Sequence, residues 1–176
     1  MIASLLRIFI VLSLIVWFPI SAWAQAPDER VYYRLSTQFL GTDMMLDVIN
    51  GGPENNMTRL ERQQDVSGQF WRFVSNGDGT FRLMTLFRGP GICLDIFNGG
   101  ANDNQPHLTA CSNLSGQFWN IRPEGNFIRL TTNFRGPGMC LDVFNGGPND
   151  HQPHLAPCSN VSGQFWLLTR TNRPVN

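Results

Sequence analysis

Apolar and polar residues alternate through most of this chain in runs of about five or six, punctuated by glycine, asparagine and proline. Such runs predict short strands joined by turns, and few stretches hold the apolar spacing of a helix. Between residues 80 and 125 the runs cover 81–86, 92–97, 107–111 and 117–122. Arg-Gly-Pro-Gly at 88–91, Asn-Gly-Gly at 98–100 and Ser-Gly at 115–116 separate them. Those breakers have turn chemistry.

The pattern then recurs. SGQFW is written at 67–71, 115–119 and 162–166, with Trp71, Trp119 and Trp166 spaced 48 and 47 residues apart. Three units follow, approximately 31–79, 80–125 and 126–173. The second and third are close copies. The first has diverged, with Met45 and Gln63 where the others have cysteine. Twelve strands in three equivalent sets predict an all-β fold closed with pseudo-three-fold symmetry around one core. Alternation within Gln-Phe-Trp puts Gln69 with Trp71, Gln117 with Trp119, and Gln164 with Trp166. The three indoles are expected to meet near the axis, with the glutamines supplying hydrogen bonds that close the layer. SGQFW reads as architecture.

Residues 1–24 stand apart. Arg7 precedes an apolar run over 8–18, and Ala22-Trp-Ala24 has the small-x-small pattern of a cleavage site. A secretory signal is expected, cut after Ala24. The run falls short of the roughly 20 residues of a membrane span, and Pro19 interrupts its end. Residues 25–176 form one domain, exported to an extracellular or periplasmic space, with no membrane span once the signal is cleaved. Export makes the four cysteines disulfide candidates. The repeat selects equivalent bridges within units, Cys93 with Cys111 and Cys140 with Cys158.

The chain has 13 positive and 13 negative side chains, and every positive one is arginine. Dispersed arginines on a near-neutral chain lack the basic stripe that nucleic acid requires.

Three units of about 47 residues, each with Leu-Asp on its second strand and Gln-x-Trp on its fourth, resemble the ricin-B-type β-trefoil lectin family. The resemblance covers nearly all of residues 25–176 and includes the intra-unit cystine in two units. It implies a β-trefoil of twelve short strands and one glycan pocket per unit. The family's main ligand contact is the aspartate of the second strand, which maps to Asp47, Asp95 and Asp142. Strand alternation turns that carboxylate outward, away from Leu94 and Ile96.

The sequence also departs from the family. Thr109 and Ala156 stand where an aromatic residue is usual, and Gly116 and Gly163 where asparagine is usual. Phe97 and Phe144, two residues beyond the aspartates, offer replacement rings. His107 and His154 occupy the third strand where the family has a polar contact, and Asn98 and Asn145 stand at the turns. The expected sugar contacts are therefore Asp95, Phe97, Asn98 and His107 in the second unit, and Asp142, Phe144, Asn145 and His154 in the third. The first unit, with Ile49 in place of phenylalanine, reads as scaffold.

Other chemistry fits less well. His151 and His154 have a metal-like spacing, but proline lies between them and Asn104 replaces His151 in the second unit. The oxygen-rich segments 95–103 and 142–150 are explained by turn formation without calcium. No serine lies in a strained elbow, and aspartates related by the repeat should stand too far apart for paired acid–base work. No metal, cofactor or catalysis is expected. Asn56, Asn113 and Asn160 begin N-glycosylation triplets. The expected function is non-enzymatic glycan binding. The rival is a trefoil with eroded sugar sites that binds a protein partner, which would need a broad exposed apolar patch.

Overall fold

A computed structural model describes residues 26–175, and the leader expectation falls outside them. The first unit contains β1 (Val31–Thr37), β2 (Met44–Val48), β3 (Thr58–Arg62) and β4 (Trp71–Ser75). The second contains β5 (Phe81–Thr85), β6 (Ile92–Ile96), β7 (Pro106–Ala110) and β8 (Trp119–Glu124). The third contains β9 (Phe127–Thr132), β10 (Met139–Val143), β11 (Pro153–Pro157) and β12 (Trp166–Pro174). Six strands close a barrel in the order β1-β12-β9-β8-β5-β4, and the hairpins β2-β3, β6-β7 and β10-β11 complete the β-trefoil. Among the described residues no helix is long and apolar enough to cross a membrane.

The fourth run of each unit begins later than the sequence pattern predicts. Ser67–Gln69, Ser115–Gln117 and Ser162–Gln164 are single 3-10 turns, and the strands start at the tryptophans. Trp71, Trp119 and Trp166 are fully buried in one apolar cluster. They pair with Tyr33, Phe81 and Ile128, which occupy matching places in the three units. Contrary to the alternation pattern, the glutamines do not satisfy the indoles. Instead Trp71 Nε1 donates to the Leu46 carbonyl at 2.8 Å, Trp119 Nε1 to Leu94 at 2.9 Å, and Trp166 Nε1 to Leu141 at 2.8 Å. Each indole thus pins a barrel strand to the hairpin of its own unit, and none of the three indole N–H groups is left unpaired.

The hairpins are joined to one another in a ring. Leu108 N donates to Asn56 O, Leu155 N to Asn104 O, and Leu60 N to His151 O, at 2.8, 2.8 and 2.9 Å. The three accepting residues have φ of 71°, 68° and 65°. Asparagine and histidine are among the side chains that tolerate this left-handed region. His151 therefore replaces asparagine at a backbone-determined position, which accounts for it without a metal.

Candidate functional site

The β6-β7 hairpin sets Asp95 opposite His107, and β10-β11 sets Asp142 opposite His154. Phe97 follows β6 directly, and its ring stacks on His107 with centroids 3.7 Å apart and planes 12° apart. Phe144 stacks on His154 at 3.7 Å and 11°. The first unit has Arg59 opposite Asp47 and Ile49 beyond it, so it forms no such pair. Both phenylalanines and both histidines are half-buried. Burial holds each imidazole below its ordinary value, and the neighbouring Asp95 or Asp142 partly opposes this. The rings are accordingly neutral near pH 7, and the buried His154 Nδ1 has no hydrogen-bond partner. Asn98 and Asn145 are exposed at hairpin tips, where Gly99 and Gly146 N–H groups donate to Asp103 and Asp150 carboxylates.

The aspartates do not present the open carboxylates that alternation suggests. Asp95 is only 5% exposed. Its Oδ1 accepts the Ile96 N–H at 2.7 Å and its Oδ2 accepts Gln117 Nε2 at 3.0 Å. Asp142 makes the same pair of contacts, with Val143 N–H at 2.8 Å and Gln164 Nε2 at 3.0 Å. Asp47 repeats them with Val48 and Gln69, and burial pushes its carboxyl up. The cause is the glycine before each glutamine. A Cβ on Gly68, Gly116 or Gly163 would overlap the aspartate Oδ1, so glycine lets the 3-10 turn lie over the carboxylate. Each oxygen retains a lone pair, but the primary duty of these aspartates is to hold hairpin and turn together.

The glutamines extend this network. Gln117 also donates to Ala110 O and accepts from Ser112 N and Arg82 Nη1. Gln164 does the same with Pro157, Ser159 and Arg129. The disulfides Cys93–Cys111 and Cys140–Cys158 close these two hairpins from their open ends, with Cα atoms 4.9 Å apart in each. Arg34, Arg82 and Arg129 lie over Phe70, Phe118 and Phe165 at 4.7, 5.1 and 4.4 Å. These arginines escape a reading confined to family positions, although each precedes a leucine at the same place in its unit.

A second surface feature was also missed. A groove of about 490 Å³ is lined by Gln38, Phe127, Asn160, Ser162 and Phe165, where the third unit meets the first. Its signal in the sequence was Phe127, which replaces Tyr32 and Thr80 of the other units.

A pseudo-three-fold barrel with hairpins that carry paired rings and amides defines a trefoil of the sugar-binding architecture. The chain belongs to the family described as the ricin-type beta-trefoil lectin domain, which matches residues 32–166. A comparison with curated proteins finds no match. Among solved structures, a mosquitocidal holotoxin is similar with a TM-score of 0.70 and 16% identity, covering 83% of this chain. This chain spans only 18% of that toxin. The designed three-fold symmetric protein ThreeFoil gives 0.64 and 24%, covering 78% of this chain and 97% of its own. A ricin B-like lectin from Macrolepiota procera, solved in complex with lactose, gives 0.63 and 18%, covering 84% and 100%. At these identities the likeness is one of fold.

Proposed function

We propose that the chain is an exported, non-enzymatic carbohydrate-binding module that takes glycans on the hairpin faces of its second and third units. The observation that carries this reading is the stacked pair Phe97–His107 and its copy Phe144–His154, present in those two units and absent from the first. A sugar presents one face of C–H groups, suited to an aromatic platform, and a rim of hydroxyls that needs a few fixed polar partners. A neutral imidazole both donates and accepts, and the Asn98 and Asn145 amides stand beside it at the tips. Asp95 and Asp142 hold the platform and offer their remaining lone pairs.

Two shallow sites on one rigid body suit weak binding to a multivalent surface. Single-site affinity around millimolar, about −4 kcal/mol, gains by avidity when both sites engage. Two disulfides suit an oxidising compartment and support export. The protein-partner alternative has less support. Among the described residues the large exposed apolar side chains are Val66, Leu114 and Val161, a single one at the same position of each unit.

A glycan array with residues 25–176 tests the reading, beside a Phe97→Ala/Phe144→Ala variant shown to be folded by near-ultraviolet circular dichroism. The expected result is glycan-dependent signal that the variant loses. Undiminished signal from the folded variant discards these faces. Silence from both proteins at high valency favours the protein-partner alternative.

A further inference from the structure

The groove between the third and first units is where the three-fold symmetry fails most informatively. At the equivalent place in the first unit, Phe70 lies beneath two guanidinium groups, Arg34 at 4.7 Å and Arg173 at 4.3 Å. Asp65 there receives Arg173 at 3.0 Å. In the second unit Asn113 Oδ1 receives Arg82 Nη2 at 3.1 Å. Both positions are filled from within the protein.

The third unit leaves the same position open. Arg129 lies over Phe165 at 4.4 Å, but its Nε turns to Glu124 Oε2 at 3.2 Å and its Nη1 to Ser159 O at 2.7 Å. Arg82 makes the matching Nε and Nη1 contacts, to Asn76 and Ser112, and still reaches Asn113 through Nη2, whereas Arg129 makes no such bond to Asn160. The side chains of Asn160, Gln38 and Ser162 make no hydrogen bond to other described residues. Phe127 adds a second ring, tilted 52° to Phe165 with centroids 6.0 Å apart. The backbone fixes the rim, since Gln38 N donates to Phe165 O at 2.8 Å and Phe39 N to Ser162 O at 3.2 Å.

We infer that this groove is a further saccharide subsite, separate from the hairpin faces, in which Phe127 and Phe165 take the C–H face of a neutral sugar ring while Asn160, Gln38 and Ser162 bond its hydroxyls. Its volume lies within the roughly 300–1,000 Å³ usual for small-ligand sites. Two uncharged amides, a hydroxyl and two rings match a neutral polyol better than an anion or a cation, which would need an opposite charge on the rim. The inference rests on the carbohydrate reading of the chain and adds a third contact point, lined by residues of the third and first units.

The test is a heteronuclear NMR titration of residues 25–176 with lactose, N-acetylgalactosamine and a panel of free monosaccharides. Side-chain amide signals report the sites apart: Asn160 and Gln38 for the groove, Asn98 and Asn145 for the hairpins. We expect saturable shifts of the Asn160 and Gln38 amides. Binding there should weaken roughly tenfold or more on Phe127→Ala. The exposed substitution Asn160→Ala gives the same reading through Gln38 if the ring variant fails to fold. Shifts at the hairpins alone overturn the groove and keep the lectin reading. Shifts in the groove alone keep the subsite and remove the hairpin sites. No shift with any sugar overturns both.

Discussion

Gln117 Nε2 donates to Asp95 Oδ2 at 3.0 Å and so joins the turn before β8 to the second strand of the same unit. Gln69 with Asp47 and Gln164 with Asp142 repeat it at 3.0 Å. The repeated Leu-Asp and Gln-x-Trp are therefore two halves of one contact. Its strength is measurable by a double-mutant cycle of Gln117→Ala and Asp95→Ala in urea unfolding. A coupling of about 1–3 kcal/mol is expected for a buried, charge-assisted bond. Additive effects would show that the two residues act independently.

Gly116 depends on the same contact. Gly116→Ala places a methyl group against Asp95 Oδ1 and must displace either the turn or the carboxylate. A loss of about 1–3 kcal/mol is expected, typical of overpacking. Gly77→Ala makes a poor control, because its φ of 83° strains any side chain. Gly138→Ala is a sound one, having open space at its Cβ and no such φ, and it should leave the urea midpoint nearly unchanged.

Acid should weaken the fold through the histidines. Burial lowers His107 and His154 below 6.5 in the folded protein, so the unfolded chain binds their protons first. Stability is complete above about 6.5, declines as pH falls towards the lowered native values, and levels off below them. Urea midpoints measured from about pH 7 down to about pH 5 should fall for the native chain. The His107→Gln/His154→Gln variant should show a flatter slope, and an unchanged slope would contradict the burial of the stacked pairs.

Each disulfide joins cysteines 18 positions apart. Loop-closure entropy gives each about 3 kcal/mol of stabilisation. Cys93→Ala/Cys111→Ala should lower unfolding stability by about that amount, and Cys140→Ala/Cys158→Ala by a similar one. The first unit, with Met45 buried in the core and Gln63 exposed, forms its hairpin without a cystine.

Much of the fold was legible because it is written three times. Strand alternation, the turn residues and the tryptophan interval fix twelve strands and their grouping, and the repeat alone selects the cysteine pairing. Side-chain direction was less legible. Alternation turns Asp95 away from Leu94 and Ile96 but says nothing of the turn that Gly116 allows to fold over it, which leaves the carboxylate only 5% exposed. Alternation sets the glutamines beside the tryptophans, whereas the 3-10 turn carries them to the aspartates and leaves each indole to a backbone carbonyl. The histidine positions were readable from the family pattern, but their stacking on phenylalanine arises from hairpin register, which places residues 95 and 107 opposite one another. The groove lay furthest from view. It depends on Phe127, which stands where the other units have Tyr32 and Thr80, and on Gln38 of the first unit meeting Asn160, Ser162 and Phe165 of the third only in the fold.

The most direct test of glycan binding at the hairpins is a crystal structure of residues 25–176 soaked with the best saccharide from the array. Sugar density is expected against Phe97 and His107, with a second copy against Phe144 and His154. Well-ordered hairpins without sugar, in crystals where those faces are open to solvent, would contradict it, even if the groove at Phe127 were filled.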